Sequence, residues 1–510
     1  MNINRRDFLR CAGACGAAGF LHGVSSLAEG VIPDRPRPNI VLFLVDDMGW
    51  QDTSEPFYRE ITALNRRYHT PNMEALADES VKFTQAYASA LCSPTRVSLI
   101  TGWNAARHRV TNWTLRRGIS PDPDSPLMTP PEWNVNGLSP VPGIERTVVT
   151  KPLPMFLREA GYTTIHVGKA HWGAQGTPGE DPNQLGFDVN IAGHAAGGPG
   201  SYHGEHNYSA AWRSEKPEDR IWDVPGLDAY HGTDTNLTEA LTREANNAVD
   251  AAVAGGKPFF LYMSHYAVHA PWEQDARFYE KYKEARLEEL DAVYASMIEG
   301  MDKSLGDIRA NLERHQIADN TIFIFMSDNG AASQVPLNLP LRGHKLTPYE
   351  GGIRVPMMVR WPGVTAPGST CESSVIVEDF FPTLLEMAGA PYRSEVDGPI
   401  DGGSFVPLLR GEDVFSRERA FIWHYPHCYD RPPYSVIRKG DWKLIYYHLD
   451  QRYELYNIRE DIGEQKDLHE ARPDLTSALA DMLGHLLVKR GAQMPVLKDS
   501  GKPVPFPGGS

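Results

Sequence analysis

Two adjacent carboxylates, Asp46 and Asp47, close a short apolar run from Asn39 to Val45. After a buried strand, such a pair repels itself unless a cation lies between the two groups. An ordinary surface turn can carry the same two residues, so a second observation is needed. Asp328-Asn329-Gly330 supplies it, following another apolar run from Thr321 to Met326. Together the sites offer the carboxylates of Asp46, Asp47 and Asp328 and the amide oxygen of Asn329. All are hard donors, a set that suits Ca²⁺ or Mg²⁺ rather than Zn²⁺.

Cys92-Ser93-Pro94-Thr95-Arg96 is the sharpest feature of the chain. Pro94 suits the first turn of a helix and Thr101-Gly102 its end, which predicts a helix from about Pro94 to Thr101. Cys92 then lies at the amino end, where free N–H groups and the helix dipole favour an anion. Arg96, one turn inside, can reach back to the same place. Such a cysteine is either a buried structural residue or a low-pKa thiolate nucleophile.

These residues need a scaffold, and the pattern around them supplies one. Apolar runs at 39–45, 162–167, 258–263 and 321–326 each end in polar or charged residues. Runs of this length bounded by turn residues read as strands buried on both faces. Helical patterns lie between them at 72–79, 153–160, 238–254 and 288–312. Alternating strands and helices imply an α/β fold, a large, mostly parallel sheet sandwiched by helices, over residues 36–420. Sites in such sheets gather at the carboxyl ends of strands, where every polar terminus named above sits. After residue 420 the pattern changes to short strands with tight turns, followed by a helix from about Pro473 to Arg490. Residues 421–510 therefore read as a smaller antiparallel-sheet subdomain with one helix, whose Pro- and Gly-rich end wraps or frays.

Cys92-Ser93-Pro94-Thr95-Arg96, continued by Ser98-Leu99-Ile100-Thr101-Gly102, resembles the type I sulfatase signature of the alkaline phosphatase superfamily. The resemblance extends through Asp46-Asp47, Gly168-Lys169-Ala170-His171, His269-Ala270-Pro271, Asp328-Asn329-Gly330 and Lys345 with Tyr349 to Pro356. Two positions depart from the family pattern. Thr95 stands where Ser or Ala is usual, and Ala170 replaces an aromatic residue between Lys169 and His171.

The resemblance implies a role for each matched residue. Asp46, Asp47, Asp328 and Asn329 bind one Ca²⁺, with Mg²⁺ as an alternative. Cys92 is oxidised to formylglycine by a formylglycine-generating or anaerobic sulfatase-maturing enzyme, and its hydrate is the nucleophile and touches the metal. Arg96 and Lys169 hold the hydrate and the sulfate. His171 takes a proton from the second hydroxyl, so that sulfate is expelled and the aldehyde returns. His269 and Lys345 contact sulfate oxygens and help protonate the leaving alcohol. Transfer of a sulfuryl group needs charge neutralisation, in-line placement and a leaving-group proton, which this set can provide.

Weaker signals surround these blocks. His424, His427 and Arg431 stand where the second sheet begins and are candidate sugar contacts. His194, His203 and His206 fall in a Gly-rich stretch that reads as a long, flexible loop near the site rather than a metal cluster. Trp103, Trp113 and Trp172 could stack on a sugar or pack in the core. Glu350 and Arg354 are expected to brace the loop bearing Lys345.

Composition narrows the rest. The chain has 510 residues and a net charge of −15, which argues against a nucleic-acid binder. Five cysteines cannot form a disulfide framework. Arg5-Arg6, a mildly apolar stretch and Ser26-Leu27-Ala28 resemble a twin-arginine export signal cut after Ala28, which implies a periplasmic or secreted protein without membrane insertion. Its removal takes away three arginines and one aspartate, so the mature chain is more acidic still. A long polyanion would be repelled, which predicts a cationic pocket for chain ends or short oligosaccharides. The expected activity is hydrolysis of an O-sulfate ester on a sugar. A phosphatase or phosphodiesterase of the same superfamily, and an inactive glycan-binding relative, are the alternatives.

Overall fold

Every residue of the run Asn39–Val45 is buried, and the run forms the central strand β1. Ile40, Leu42 and Leu44 face one core, and Val41, Phe43 and Val45 face another. A strand with both faces covered must be apolar throughout, as this one is. The structure, a computed structural model, describes residues 36–412 and 419–509, and the expected export signal at 1–28 lies outside them.

Eight further strands complete the sheet. They are β2 (Val81–Tyr87), β3 (Thr163–Gly168), β4 (Val189–Ile191), β5 (Phe259–Ser264), β6 (Thr321–Ser327), β7 (Arg354–Arg360), β8 (Ser369–Cys371) and β9 (Val375–Ile376). Their order is β8-β2-β7-β6-β1-β5-β3-β4, with β9 also on β2. Only β7 runs antiparallel to its neighbours. Helices α1 (Pro71–Glu79), α4 (Leu237–Ala254) and α5 (Glu289–Arg314) cover one face. Helices α2 (Cys92–Thr101), α3 (Leu153–Glu159) and α6 (Phe380–Ala388) cover the other. The mixed, mostly parallel sheet between two helical layers is the architecture that the alternating pattern implies.

The second sheet is a plain antiparallel meander of β10 (Ala420–Tyr425), β11 (Tyr434–Lys439), β12 (Trp442–Tyr447) and β13 (Tyr453–Asn457). Ile422, Ile437, Leu444 and Leu455 pack under α7 (Pro473–Lys489) through Leu479, Leu483 and Leu487. Its other face, with Phe421, Trp423, Val436 and Ile445, joins the core beneath α2. The tail wraps: Tyr446 Oη donates to the Pro505 carbonyl at 3.1 Å, and Val504 is buried.

A buried ionic cluster fastens the two sheets together. Lys443 on β12 meets Glu350 at 3.0 Å and Glu464 at 2.9 Å, all three side chains fully buried. Tyr87 donates to Glu350 at 2.7 Å, and Arg354 lies 3.3 Å from it. Burial alone would raise the Glu350 carboxyl, but Lys443, Arg438 and Arg354 hold it below its ordinary value. Glu464 is pushed above its own, by burial first and by Glu350. Glu350 thus does more than brace the Lys345 loop, because it joins that loop to the second sheet. Removing the shared cation leaves Glu464 buried beside Glu350, with only Arg354 and Arg438 to balance the pair. Lys443→Met should therefore destabilise the fold by about 3–5 kcal/mol. Urea unfolding would measure this, and a loss under about 1 kcal/mol, the range of an exposed ion pair, would refute it.

Candidate active site

The carboxyl ends of β1, β3, β5 and β6 meet at one place, as a parallel sheet requires. Asp46 and Asp47 follow β1, and the Asp46 amide is held by the Ala267 carbonyl at 2.9 Å. Asp47 takes a left-handed conformation, φ 58°, which an aspartate tolerates better than most residues. Its amide donates to Asp328 Oδ1 at 3.2 Å, which ties the end of β1 to the end of β6. Asn329 Nδ2 donates to Asp47 Oδ1 at 2.7 Å and to the Gly330 carbonyl at 2.9 Å. That fixes the amide orientation and leaves Asn329 Oδ1 a buried acceptor without a donor. Asp46 Oδ1 is in the same state. Ligand atoms of Asp46, Asp47 and Asp328 lie within 4.8 Å of one another.

Each carboxylate has its own cation. Lys169 Nζ donates to Asp46 Oδ2. Lys345 Nζ reaches Asp47 Oδ1 at 2.6 Å and Oδ2 at 2.8 Å. Arg96 contacts Asp328 Oδ2 through Nε at 2.9 Å and Nη2 at 2.7 Å. Arg96 Nη1 also donates to the Lys169 carbonyl at 3.0 Å and to Ser264 Oγ at 2.6 Å. Burial pushes the Asp46 carboxyl well above its ordinary value, with Asp328 adding to the effect and Lys169 opposing it. Burial also acts on Asp47, but Lys345, His269 and Lys169 outweigh it and hold that carboxyl below the usual range.

Cys92 begins α2 after Leu91, which provides no side-chain cap, and Gly102 ends the helix in a left-handed turn. The helix starts two residues before Pro94, so the cysteine is part of its first turn. Burial raises the Cys92 thiol above its ordinary value despite Lys169 and Lys345, with Asp46 and Asp328 adding to the rise. Of the two readings left open for Cys92, this environment favours the buried cysteine over the thiolate. Thr95, unusual at its position, uses its hydroxyl to accept from the Ser89 amide at 2.9 Å and so fixes the approach to the helix.

Two histidines complete the site as neutral rings with defined tautomers. His171 Nε2 faces the Thr114 carbonyl at 2.9 Å, and a carbonyl only accepts, so Nε2 carries the hydrogen. Its Nδ1 is then a bare base, and it has no partner. Burial, then Lys169 and Arg96, push His171 well below its ordinary pKa. His269 Nδ1 donates to the Ala270 carbonyl at 2.7 Å, which leaves Nε2 bare, 3.8 Å from Asp47 Oδ2. Burial pushes its pKa down to about 3.

The donor set fits a hard divalent cation. Asp46 Oδ1 and Asn329 Oδ1 are buried oxygens that nothing in the protein satisfies, and the carboxylates that gather there repel one another. Among the described residues this is the one group of three or more His, Cys, Asp or Glu side chains placed to share an ion.

Other expected contacts do not join the site. His424 is engaged at both nitrogens, by Ser435 Oγ at 2.9 Å and the Gln493 carbonyl at 3.0 Å. His427 is engaged by Thr111 Oγ1 at 2.8 Å and Asp122 Oδ2 at 2.9 Å. Both are buried and hold strands and loops together, so neither has a nitrogen for a sugar. Arg431 differs: it is partly exposed and donates to His344 Nε2 at 3.1 Å, beside Lys345. Trp172 is fully buried and donates to the Arg96 carbonyl at 3.0 Å, so it is core. Trp103 and Trp113 are partly buried, and Trp113 meets the Tyr429 ring edge-on at 5.9 Å. His194, His203 and His206 form no metal cluster. Their segment is folded through short 3₁₀ turns, and its Gly197 and Gly198 lie against the His171 and His269 rings.

A sulfatase family profile matches residues 38–390, and a profile for the C-terminal part of N-sulphoglucosamine sulphohydrolase matches residues 344–490. A Formosa agariphila protein described as a sulfatase is 30% identical, with 92% of each chain covered. The dog N-acetylgalactosamine-6-sulfatase is 32% identical, over 77% of this chain and 70% of its own. A crystal structure of Ps i-CgsB in complex with k-i-k-neocarrahexaose superposes with a TM-score of 0.71 at 26% identity, covering 89% of this chain and 93% of its own. The chain belongs to the sulfatase family. It is a sulfuric ester hydrolase.

Several supporting residues of this sulfatase carry no motif. The Thr114 carbonyl sets the His171 tautomer from 57 positions away. Ser264 steadies Arg96, and its place at the end of an apolar run was the only sign of it. Gly197 packs directly on the His171 ring, and the Gly-rich composition of its segment was a visible but unspecific signal. An added Cβ there would collide with the imidazole. Gly197→Ala should lower kcat for sulfate release roughly a hundredfold, the scale for about 1 Å of misplacement, and should lower the melting temperature through overpacking. Steady-state kinetics beside a melting curve would check this, and wild-type kcat would contradict the packing argument.

Proposed function

We propose that this sulfatase removes sulfate from a sulfated sugar outside the cytoplasm, with residue 92 as formylglycine and one Ca²⁺ at the acidic cluster. Mg²⁺ is the alternative ion. The observation that carries the reading is the convergence of Cys92, Arg96, Lys169, His171, His269 and Lys345 on the cluster of Asp46, Asp47, Asp328 and Asn329. The sugar part draws on the relatives: the dog enzyme is named for a sulfated amino sugar, and Ps i-CgsB was crystallised with k-i-k-neocarrahexaose. The twin-arginine segment supports export, and no helix among the described residues is long and apolar enough to cross a membrane.

Asp46, Asp47, Asp328 and the Asn329 amide oxygen would hold the ion. When bound, it would neutralise charge on the sulfate's peripheral oxygens and make the adjoining hydroxyl of residue 92 more acidic. Arg96, Lys169 and Lys345 supply further positive charge around the same point, which a transferring sulfuryl group requires. As a hydrate, residue 92 has one hydroxyl to attack sulfur and a second whose deprotonation expels sulfate. His171 Nδ1 is the bare, buried base for that second proton. Lys345, held charged beside Asp47, and His269 face the leaving alcohol.

Ca²⁺ binding has a readout independent of turnover. Addition of Ca²⁺ to chelator-treated protein should raise the melting temperature, by RT ln(1 + [L]/Kd) in free energy. Asp328→Asn should lose most of that rise. An unchanged melting temperature at millimolar Ca²⁺ and Mg²⁺ would remove the metal from the reading.

The phosphatase alternative is tested directly. Peptide mass spectrometry should find residue 92 as the aldehyde, and the modified protein should hydrolyse an aryl sulfate faster than the matching aryl phosphate. Cys92→Ala should abolish sulfate release. Higher turnover of the phosphate would reverse the assignment, and no turnover of any sulfate ester by modified protein would favour a binding-only relative.

A further inference from the structure

The segment from Gly193 to Trp212 walls the catalytic histidines and carries an exposed aromatic at its far end. Its inner part is tightly held. A Cβ on Gly198 would lie 2.9 Å from His269 Nδ1, so the backbone runs against that ring. Tyr202 Oη donates to the Tyr266 carbonyl at 2.7 Å and the His269 carbonyl at 2.8 Å. Glu273, four residues after His269 and buried, accepts from Ser201 Oγ at 2.9 Å and the Tyr202 amide at 2.5 Å.

The outer part is built on this base. Trp212 Nε1 donates to the Gly200 carbonyl at 3.1 Å. Gly198 and Gly200 are two residues apart, at most about 7 Å of chain. Arg213 Nη2 lies 3.5 Å from the Pro199 carbonyl in between. The His206 ring stacks on Trp212 with centroids 5.0 Å apart and planes 11° from parallel, and Ser201 Oγ fixes His206 Nδ1 at 3.1 Å. Despite these ties Trp212 is 47% exposed. A tryptophan with its N–H satisfied, one face backed by a fixed ring and the rest in water gains nothing from burial where it stands. An ordered, half-bare indole is a surface on which the apolar face of a pyranose can stack at little entropic cost.

Resting on the sulfatase reading, we propose that Trp212 is a specificity-determining residue. It is the stacking platform for the sugar adjoining the one that carries the scissile sulfate, and Arg213 faces that second sugar's anionic substituents. The substrate class is then a sulfated oligosaccharide bound by at least two rings rather than a free sulfated monosaccharide. Trp212 touches no reacting atom, so its effect lies in binding the longer substrate.

The test compares N-acetylgalactosamine 6-sulfate with a chondroitin 6-sulfate tetrasaccharide ending in the same sulfated residue. Trp212→Ala should lower kcat/KM for the tetrasaccharide roughly tenfold more than for the monosaccharide, mostly through KM. Trp212→Phe should recover much of the difference, which also guards against a folding defect. Calorimetric binding of the tetrasaccharide in the Cys92→Ala background should weaken by a similar factor. Equal losses on both probes would mean that Trp212 only braces His269, and would overturn the proposal, as would no loss on either. Failure of the wild-type protein to hydrolyse or bind either probe while it hydrolyses an aryl sulfate would overturn the platform and leave the sulfatase reading standing. Inactivity toward the aryl sulfate as well would remove that reading.

Discussion

Three carboxylates buried at one point are the constraint on which the rest of the site depends. Asp46, Asp47 and Asp328 are almost wholly excluded from solvent and share a space under 5 Å across. Left alone they would protonate or pull the strand ends apart. Lys169, Lys345 and Arg96 answer them one for one. Because every pair joins two different strands or loops, the pairing that makes the charges tolerable also fixes the geometry. The parallel sheet is what makes this possible: β1, β3, β5 and β6 end in register, so residues far apart in sequence arrive together.

A second buried charge cluster does comparable work elsewhere. Glu350, Glu464 and Lys443 couple the loop after Lys345 to the small sheet. The small sheet's inner face also shares the core beneath α2, the helix that starts at Cys92. The C-terminal strands thereby brace both the helix that starts at Cys92 and the loop that follows Lys345. His424 and His427 belong to the same scaffolding, since all four of their ring nitrogens are used in holding it.

This division explains what the sequence could and could not reveal. Asp46-Asp47 and Asp328-Asn329 were legible because the apolar runs before them fix strand ends, and strand ends fix direction. The Cys92 helix was legible from Pro94 and Gly102, with its start misplaced by two residues because Leu91 gives no capping signal. The place of Cys92 at a helix terminus left a buried residue and a thiolate both open, because burial, which here outweighs the nearby lysines, cannot be read from a local pattern. His424 and His427 were misjudged because nothing in a sequence shows that Thr111, Asp122 and Gln493 will occupy their nitrogens. The His171 tautomer depends on a carbonyl at Thr114, and backbone acceptors have no residue signature at all.

The charge balance of the site also bears on how it would be used. Three carboxylates face three cations there, one for one. A divalent ion entering that set would leave the pocket positive. An anionic ester is what restores balance, drawing Lys169, Lys345 and Arg96 from carboxylates that the ion now satisfies. Metal and sulfate ester would then each favour the binding of the other, as any two ligands that relieve one another's charge must. The acidity of the rest of the chain makes this local reversal of sign matter. Against that overall acidity, Arg96, Lys169 and Lys345 concentrate positive charge at one point.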